Sequence, residues 1–500
     1  MRKTFFAFLL FLSITSCYRK MSYPIETMSS SKSALTIPSV LPENTFHFKG
    51  VNWARPTTNY SWGTIVPSGL DSLDNYTVTL DKTDSILNQF VKFFPGVNTV
   101  RMPINEATVL GHWWSTYKGV IDKIRTKNMK VVLAFWCSPA KTHKVDDSLR
   151  FFQMWDTVVN AYKADSMIYY EVFNEPVGYN GDIDGLINLY NVFITQFETE
   201  IPKSRIILDG AGWGANIVPI GEAISDCLLS LHHYPGWGSG GTSDSAWEVN
   251  WRSKLSEFSK RTIVTEFGAV QTLKAGMTEP NDYTGPIVNK DIAYLVAGTN
   301  VFREDSVGSI YWCGLRLDSP NDYNSMLERV SAGSQQLRVR NPSAVARLRY
   351  GWGESAFDPN ASYKFKNKNS NMNLDVTLSS TNEGAAIVQS NFWTRISQEW
   401  QVLDLGNGYT RIVNKKSKKD IHVPMASIAD SVQLEQRSST GSAAEEWAFE
   451  KISGTEYYKF VNRNSGKVMS VNTGLAANGA NIIQIPFMGA NSQQWEIIKQ

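Results

Sequence analysis

Between residue 361 and the C-terminus of this 500-residue chain, one pattern of side chains occurs three times. Asn367, Asn414 and Asn462 are separated by 47 and 48 residues, and Trp400, Trp447 and Trp495 keep the same two intervals. Ser370, Ser417 and Ser465 fall in that register, as do Val376, Val423 and Val471, and Gln389, Gln436 and Gln484. The tryptophans close the motifs Gln398-Glu399-Trp400, Glu445-Glu446-Trp447 and Gln493-Gln494-Trp495. A single matching interval arises by chance. Five columns in one register require a unit built three times, each burying its apolar face against its neighbours.

This repeat resembles the ricin-type β-trefoil lectins over residues 361–500, so the C-terminal part is expected to be all-β. The resemblance implies that the three tryptophans pack a shared core. It also implies sugar sites built from a strand Asp, an aromatic further along and a polar residue near the Gln-x-Trp. Repeat one keeps Asp375, Phe392 or Trp393, and Gln398, and is the expected carbohydrate site. His422 replaces the acid in repeat two and Ser470 in repeat three, although repeat three keeps Phe487 and Gln493. A trefoil that only stabilises the chain is the alternative.

Upstream, from Phe46 to Trp352, short apolar runs alternate with longer amphipathic stretches such as Ser85 to Phe93. The runs are Phe46–Asn52, Asn98–Met102, Lys130–Trp136, Ile168–Phe173, Arg205–Leu208, Leu228–His232, Thr262–Phe267 and Gly308–Trp312. Continuous apolar strands alternating with helices imply parallel pairing with both faces covered. Eight such units predict an α/β fold, a (β/α)8 TIM barrel, with its chemistry at the C-terminal ends of the strands. Polar residues stand at those ends: Arg101 on the second, Asn174 and Glu175 after the fourth, His232 and Tyr234 on the sixth, Glu266 on the seventh, and Trp312 on the eighth.

Two glutamates after strands four and seven, with these companions, resemble glycoside hydrolase family 5, the retaining glycosidases of the cellulase clan, over residues 45–350. The resemblance implies Glu175 as general acid/base and Glu266 as nucleophile. It implies that Asn174 bonds the sugar 2-hydroxyl, that Arg101 and Tyr234 hold and ionise Glu266, that His232 lines the site and that Trp312 is a sugar platform. The chemistry fits: glycoside cleavage needs an acid on the leaving oxygen and negative charge beside an oxocarbenium-like centre. The two carboxyls must differ in pKa, with Arg101 the cation expected to keep Glu266 ionised. No metal or organic cofactor is required. Many family members carry a histidine after strand three, where this chain has Trp136, read either as a sugar-facing wall or as packing at the barrel top. Trp53, Trp113, Trp114 and Trp237 are further stacking candidates.

The expected activity is retaining hydrolysis of O-glycosidic bonds in a neutral polysaccharide or oligosaccharide, of β-glucan, mannan or xylan type. Exo-action on side chains, pyranoside or furanoside, is an alternative. A non-catalytic glycan-binding lipoprotein is another, disfavoured because both glutamates are kept. A transglycosylase would use the same residues. Lys plus Arg (49) nearly cancels Asp plus Glu (47), which argues against a nucleic-acid partner.

At the N-terminus Arg2 and Lys3 precede an apolar run from Phe5 to Ile14, right for a secretory signal and too short to span a bilayer. Ile14-Thr15-Ser16-Cys17 resembles the lipobox of bacterial lipoproteins, implying lipidation of Cys17 and attachment to the cell envelope. The expected organisation is a signal peptide (1–17), a linker (18–44), a catalytic barrel (45–355) and a carbohydrate-binding trefoil (356–500), as a monomer. The remaining Cys137, Cys227 and Cys313 show no metal spacing and are expected to be buried free thiols.

Overall fold

The computed structural model describes residues 40–137, 143–318, 322–391 and 394–500. Cys17, Phe392 and Trp393 lie outside the described residues. Among those described, no helix is long and apolar enough to cross a membrane.

Eight parallel strands form a closed barrel: β1 (Lys49–Trp53), β2 (Thr99–Ile104), β3 (Lys130–Phe135), β4 (Ile168–Glu171), β5 (Ile206–Asp209), β6 (Leu228–His233), β7 (Thr262–Phe267) and β8 (Gly308–Leu315). Each pairs with its neighbour in sequence, and β8 closes on β1. Every apolar run expected to be a strand is one. The first begins later than expected because Thr45 starts a turn: Phe48 N donates to Thr45 O, while the Thr45 hydroxyl donates to Thr262 O at 2.6 Å. Phe48, Val132, Ile207, Leu228, Ile263 and Ile310 pack together inside the barrel as a floor. A second, larger layer lies between strands and helices, where Ile86, Leu87 and Phe90 of helix Tyr76–Phe93 are buried. Burial of one such side chain contributes about 1.5–3 kcal/mol.

Two tryptophans expected to stack on sugar belong to this layer instead. Trp53 packs edge-on against Phe90 and donates its indole N–H to Ser68 O at 2.8 Å. Trp113 is buried against Tyr117. Trp53 ends β1 and Trp113 comes after β2, but their rings pack under the helices. Cys137, Cys227 and Cys313 are buried free thiols, as expected.

Strand register is regular at the bottom of the barrel and shifts at the top. The β6–β7 ladder slips between Leu231 and His232, β7–β8 between Val264 and Phe267, and β8–β1 between Val51 and Trp53. Such bulges re-aim side chains at barrel rims. Here they fall beside His232 and Glu266.

The last barrel helix, Pro342–Gly351, is followed by an all-β domain whose first strand is Tyr363–Asn367 and whose last is Trp495–Lys499. Its hydrogen bonds explain the repeated columns. Trp400, Trp447 and Trp495 are fully buried, and each donates its indole N–H to a carbonyl in its own repeat: Leu374, Ile421 and Met469. The asparagines reach between repeats instead. Asn367 donates to Ser492 O, Asn414 to Ser397 O and Asn462 to Ala444 O, closing a three-way ring. The glutamines close another: Gln389 donates to Leu475 O and Ala477 O, Gln436 to Ser380 O and Asn382 O, and Gln484 to Ser427 O and Ala429 O. Each glutamine also accepts from the serine of its own repeat, Ser370, Ser417 or Ser465. Arg349 of the last barrel helix pairs with Asp404 at 2.8 Å, and Gln401 donates to Thr284 O, so the two domains are polar-bonded to each other.

Asn414→Ala leaves the buried Ser397 carbonyl without its donor. Removing one partner of a buried hydrogen bond costs about 1–3 kcal/mol. The variant is expected to lower the denaturant midpoint of the trefoil transition in the full-length protein. An unchanged midpoint would remove the asparagine ring from the domain's stability.

Candidate active site

Arg101 stands on β2 with its guanidinium buried at the top of the barrel. Its three nitrogens make five hydrogen bonds: Nε to Glu171 Oε2 at 2.7 Å, Nη2 to Glu171 Oε1 and Asn174 Oδ1, and Nη1 to Glu266 Oε1 at 2.6 Å and Asn52 Oδ1 at 2.9 Å. These acceptors come from β1, β4, the turn after β4, and β7. A fixed fork of five donors is what only arginine supplies. Burial works against the Arg101 charge, but Glu171 and Glu266 outweigh it and hold the guanidinium firmly ionised.

Glu171 ends β4 and is fully buried. Burial alone would raise its carboxyl; the charge and hydrogen bonds of Arg101 prevail and hold it below the usual range. Asp209 ends β5 nearby, and one polar atom each of Glu171, Asp209 and His232 lie within 4.8 Å of one another. Burial, and then the Glu171 charge, push Asp209 well above the carboxylate range. Of this pair Glu171 keeps the charge, because it holds Arg101, and Asp209 keeps the proton. Asp209 Oδ2 accepts from the backbone N–H of Glu175 at 2.7 Å. That bond fixes Glu175 in a left-handed conformation (φ 49°), uncommon outside glycine.

Glu175 stands in the turn after β4 and is buried. Its Oε2 accepts from the Tyr60 hydroxyl at 2.6 Å, and its Oε1 lies 3.1 Å from His232 Nδ1. Burial pushes its carboxyl up to about 7, with Tyr60 and Arg101 pulling back. Glu266, on β7, accepts from Arg101 at Oε1 and from the Tyr234 hydroxyl at Oε2, 2.8 Å away. Arg101 and Tyr234 thus hold Glu266 in the arrangement expected of them. Burial raises the Glu266 carboxyl above its ordinary range, and the charge and hydrogen bond of Arg101 pull it back in part.

His232 is fully buried and pushed down to about 4 by burial, so it is neutral near pH 7. Its other nitrogen lies 3.0 Å from the Thr265 hydroxyl, so donor and acceptor are matched on either side. Glu175, His232 and Glu266 each bring one polar atom within 4.8 Å of the others. One carboxylate oxygen of Glu175 therefore lies within that distance of one of Glu266. Asn174 spends its carbonyl oxygen on Arg101 and keeps a weak contact from Nδ2 to Tyr60 at 3.3 Å.

The aromatic residues divide. Trp312 stacks against Trp136, with centroids 5.6 Å apart and planes at 24°, and the Arg316 guanidinium lies over its ring at 6.0 Å. Trp136 is buried between Trp312, Tyr60 and the Arg101 guanidinium, so it packs the barrel top rather than offering a free face. Trp237 after β6 is 43% exposed and meets Tyr234 edge-on.

Sequence reasoning missed Tyr60, Glu171, Asp209 and Trp213. Glu171 and Asp209 carried a signal, since each is an acid in or at the end of an otherwise apolar strand, where a buried counter-charge or donor is required. Tyr60 sits in an irregular loop with no periodicity to mark it. Trp213 stands on the tight turn Gly210–Asn216, which is pressed so closely onto His232 that a Cβ at Gly214 would come within 2.8 Å of the ring.

In the trefoil, the structure brings Asp375 and Gln398 together, with Gln398 Nε2 donating to Asp375 Oδ2 at 3.1 Å. In repeat two, Glu445 instead accepts from Ser439, Thr440 and Gly441 of its own loop. In repeat three, Gln493 is occupied by Met488 N and Pro486 O.

Glu171→Gln leaves Arg101 with half its counter-charge, and breaking a buried pair costs about 3–5 kcal/mol. Asp209→Asn keeps an acceptor for Glu175 N where the carboxyl is already neutral. Denaturant unfolding of the two variants is expected to show a large loss for Glu171→Gln and a much smaller one for Asp209→Asn. The reverse order would mean the charge sits on Asp209.

The family described as Cellulase (glycosyl hydrolase family 5) matches residues 76–314. The Ricin-type beta-trefoil lectin domain-like family matches residues 353–437, 396–485 and 443–500. No curated protein matches the chain. Among solved structures, the designed 3-fold symmetric protein ThreeFoil is 35% identical, covering 27% of this chain and 97% of that one, with a TM-score of 0.27. An exo-beta-1,3-galactanase from Clostridium thermocellum is 36% identical, covering 28% of this chain and 30% of that one, with a TM-score of 0.27. The Rhizoctonia solani agglutinin is 19% identical, covering 28% and 94%, with a TM-score of 0.26. The chain therefore joins a glycosyl hydrolase family 5 domain to a ricin-type beta-trefoil lectin domain.

Proposed function

We propose that the barrel hydrolyses O-glycosidic bonds of a neutral glycan with retention of configuration, Glu266 acting as nucleophile and Glu175 as acid/base. The observation that carries this reading is the approach of the two carboxylates, oxygen to oxygen within 4.8 Å. Retaining glycosidases hold their carboxyls about 5–5.5 Å apart, whereas inverting ones leave about 6.5–9.5 Å for a water between them.

In the first step a Glu266 oxygen attacks the anomeric carbon, and the bond to the leaving oxygen breaks with its electron pair. Glu175 delivers its proton to that oxygen, so the leaving group departs as an alcohol. In the second step ionised Glu175 takes a proton from water as the water oxygen bonds the anomeric carbon, and Glu266 leaves as carboxylate. Arg101 and Tyr234 stabilise Glu266 whenever it carries charge, and Tyr60 does the same for Glu175. Proton transfer and carboxylate attack complete the reaction without a metal or organic cofactor.

The trefoil is proposed to retain the enzyme on glycan through repeat one, where Asp375 and Gln398 face each other. The lipobox-like Ile14-Thr15-Ser16-Cys17 supports a secreted protein tethered by lipid to a bacterial cell envelope.

Glu266→Gln is expected to abolish turnover of an aryl glycoside, with Glu175→Gln lowering it by about 10²–10⁴. Near wild-type turnover in Glu266→Gln would remove the nucleophile assignment. Glu175 must be protonated for the first step, so kcat/KM should fall as pH rises through about 7. Tyr60 donates to the ionised form and so lowers this pKa; Tyr60→Phe should move the alkaline limb to higher pH. A limb that stays put or moves down would contradict the assignment of Glu175 as the acid. Asp375→Ala is expected to weaken retention of the full-length protein on polysaccharide while leaving aryl glycoside turnover unchanged. Equal retention would count against the repeat-one site.

A further inference from the structure

The loop between β1 and the first helix crosses the mouth of the barrel and is tied down on the far side. The Arg316 guanidinium, just past β8, donates to Thr57 O and lies over the Trp312 ring. Asn105, after β2, donates from Nδ2 to both Ser61 O and Gly63 O at 2.9 Å, and Ile65 N donates to the Thr108 hydroxyl at 2.8 Å. Between these anchors Tyr60 packs on Trp136, with centroids 4.7 Å apart, and its hydroxyl reaches Glu175. Arg316, Trp312, Trp136 and Tyr60 therefore form one continuous row from β8 past β3 to β4.

Among the described residues, the other side of the mouth carries no such row. Trp213 after β5 and Trp237 after β6 stand there 44% and 43% exposed. Glu175 has its Oε2 covered by Tyr60 on the walled side, while its Oε1 faces His232 on β6. Tyr60 blocks departure on the walled side, so a leaving group departs over β5 and β6, where Trp213 and Trp237 are exposed.

We propose that the site is a pocket closed over β1–β3, and that it removes single sugar residues from the non-reducing ends of glycan chains. This rests on the retaining-hydrolase reading above. A chain cleaved internally must continue past the attacked sugar on both sides. Here the side away from the leaving group is filled by a loop fixed at several points. On this proposal the attacked sugar is the last one on the walled side, and the rest of the chain extends as leaving group over Trp213 and Trp237. Tyr60 is then a specificity-determining residue through its ring, separately from the effect of its hydroxyl on Glu175.

The test uses full-length protein and hexasaccharides of β-gluco-, manno- and xylo-type, fluorescently labelled at the reducing end, with products followed by chromatography from the earliest times. Loss of turnover in Glu266→Gln on the same substrate establishes the hydrolase reading by itself, so the product pattern speaks only to the wall. The expected pattern is unlabelled monosaccharide from the first time point, with the labelled chain shortening one residue at a time. Early labelled fragments of mixed length, or labelled monosaccharide at the outset, would overturn the proposal. Tyr60→Phe keeps the ring and should keep monosaccharide release. Tyr60→Ala removes the ring and should release disaccharide or longer products. Exclusive monosaccharide release by Tyr60→Ala would take the wall away from Tyr60.

Discussion

The site depends on one buried guanidinium. Arg101 is out of contact with water, and an unpaired charge there would cost several kcal/mol. Its five hydrogen bonds are matched by acceptors on β1, β4 and β7 and in the turn after β4. Those elements meet only when the barrel closes, so closure and charge compensation are one requirement. Glu266 is held in place because it is one of the groups that makes Arg101 tolerable. Asn174, whose carbonyl faces Arg101, is likewise oriented by the same charge.

The strands were legible because a strand covered on both faces must be apolar throughout, and eight such runs with helical spacers leave few architectures open. The polar residues at strand tops were legible for the same reason: they interrupt a pattern that has no place for them. What sequence could not separate was a ring pointing into the mouth from one turned under a helix. Trp53 ends β1 and Trp237 comes after β6, yet one is packed against Phe90 and the other is exposed. Tyr60 was invisible because a loop crossing the mouth owes its path to distant anchors, Asn105 and Arg316, rather than to any local period.

The trefoil was legible through polar residues more than through apolar ones. Asn367, Asn414 and Asn462 each satisfy a carbonyl of another repeat, and the three glutamines do the same. No repeat can satisfy its own backbone alone, so all three must keep the same side chain at the same position. The residues near the Gln-x-Trp motifs are free of that constraint and have diverged. Gln398 faces Asp375, whereas Glu445 and Gln493 are bonded to their own loops.

Four carboxyls and one guanidinium share the top of the barrel, and their protons are divided by contact. Glu171 takes two of the five hydrogen bonds of Arg101 and stays ionised, and its charge adds to burial in keeping the proton on Asp209. The Glu171 charge also raises Glu175, adding to the effect of burial. Glu175 and Glu266 are close enough that the charge of one disfavours the charge of the other. On the proposed mechanism this coupling does the switching. While Glu266 is ionised, Glu175 holds its proton and serves as the acid. Once Glu266 is esterified its charge is gone, the repulsion ends, and Glu175 can ionise with Tyr60 donating to it. The base for the second step is thus made by the first, with His232 neutral throughout and Arg101 never moving.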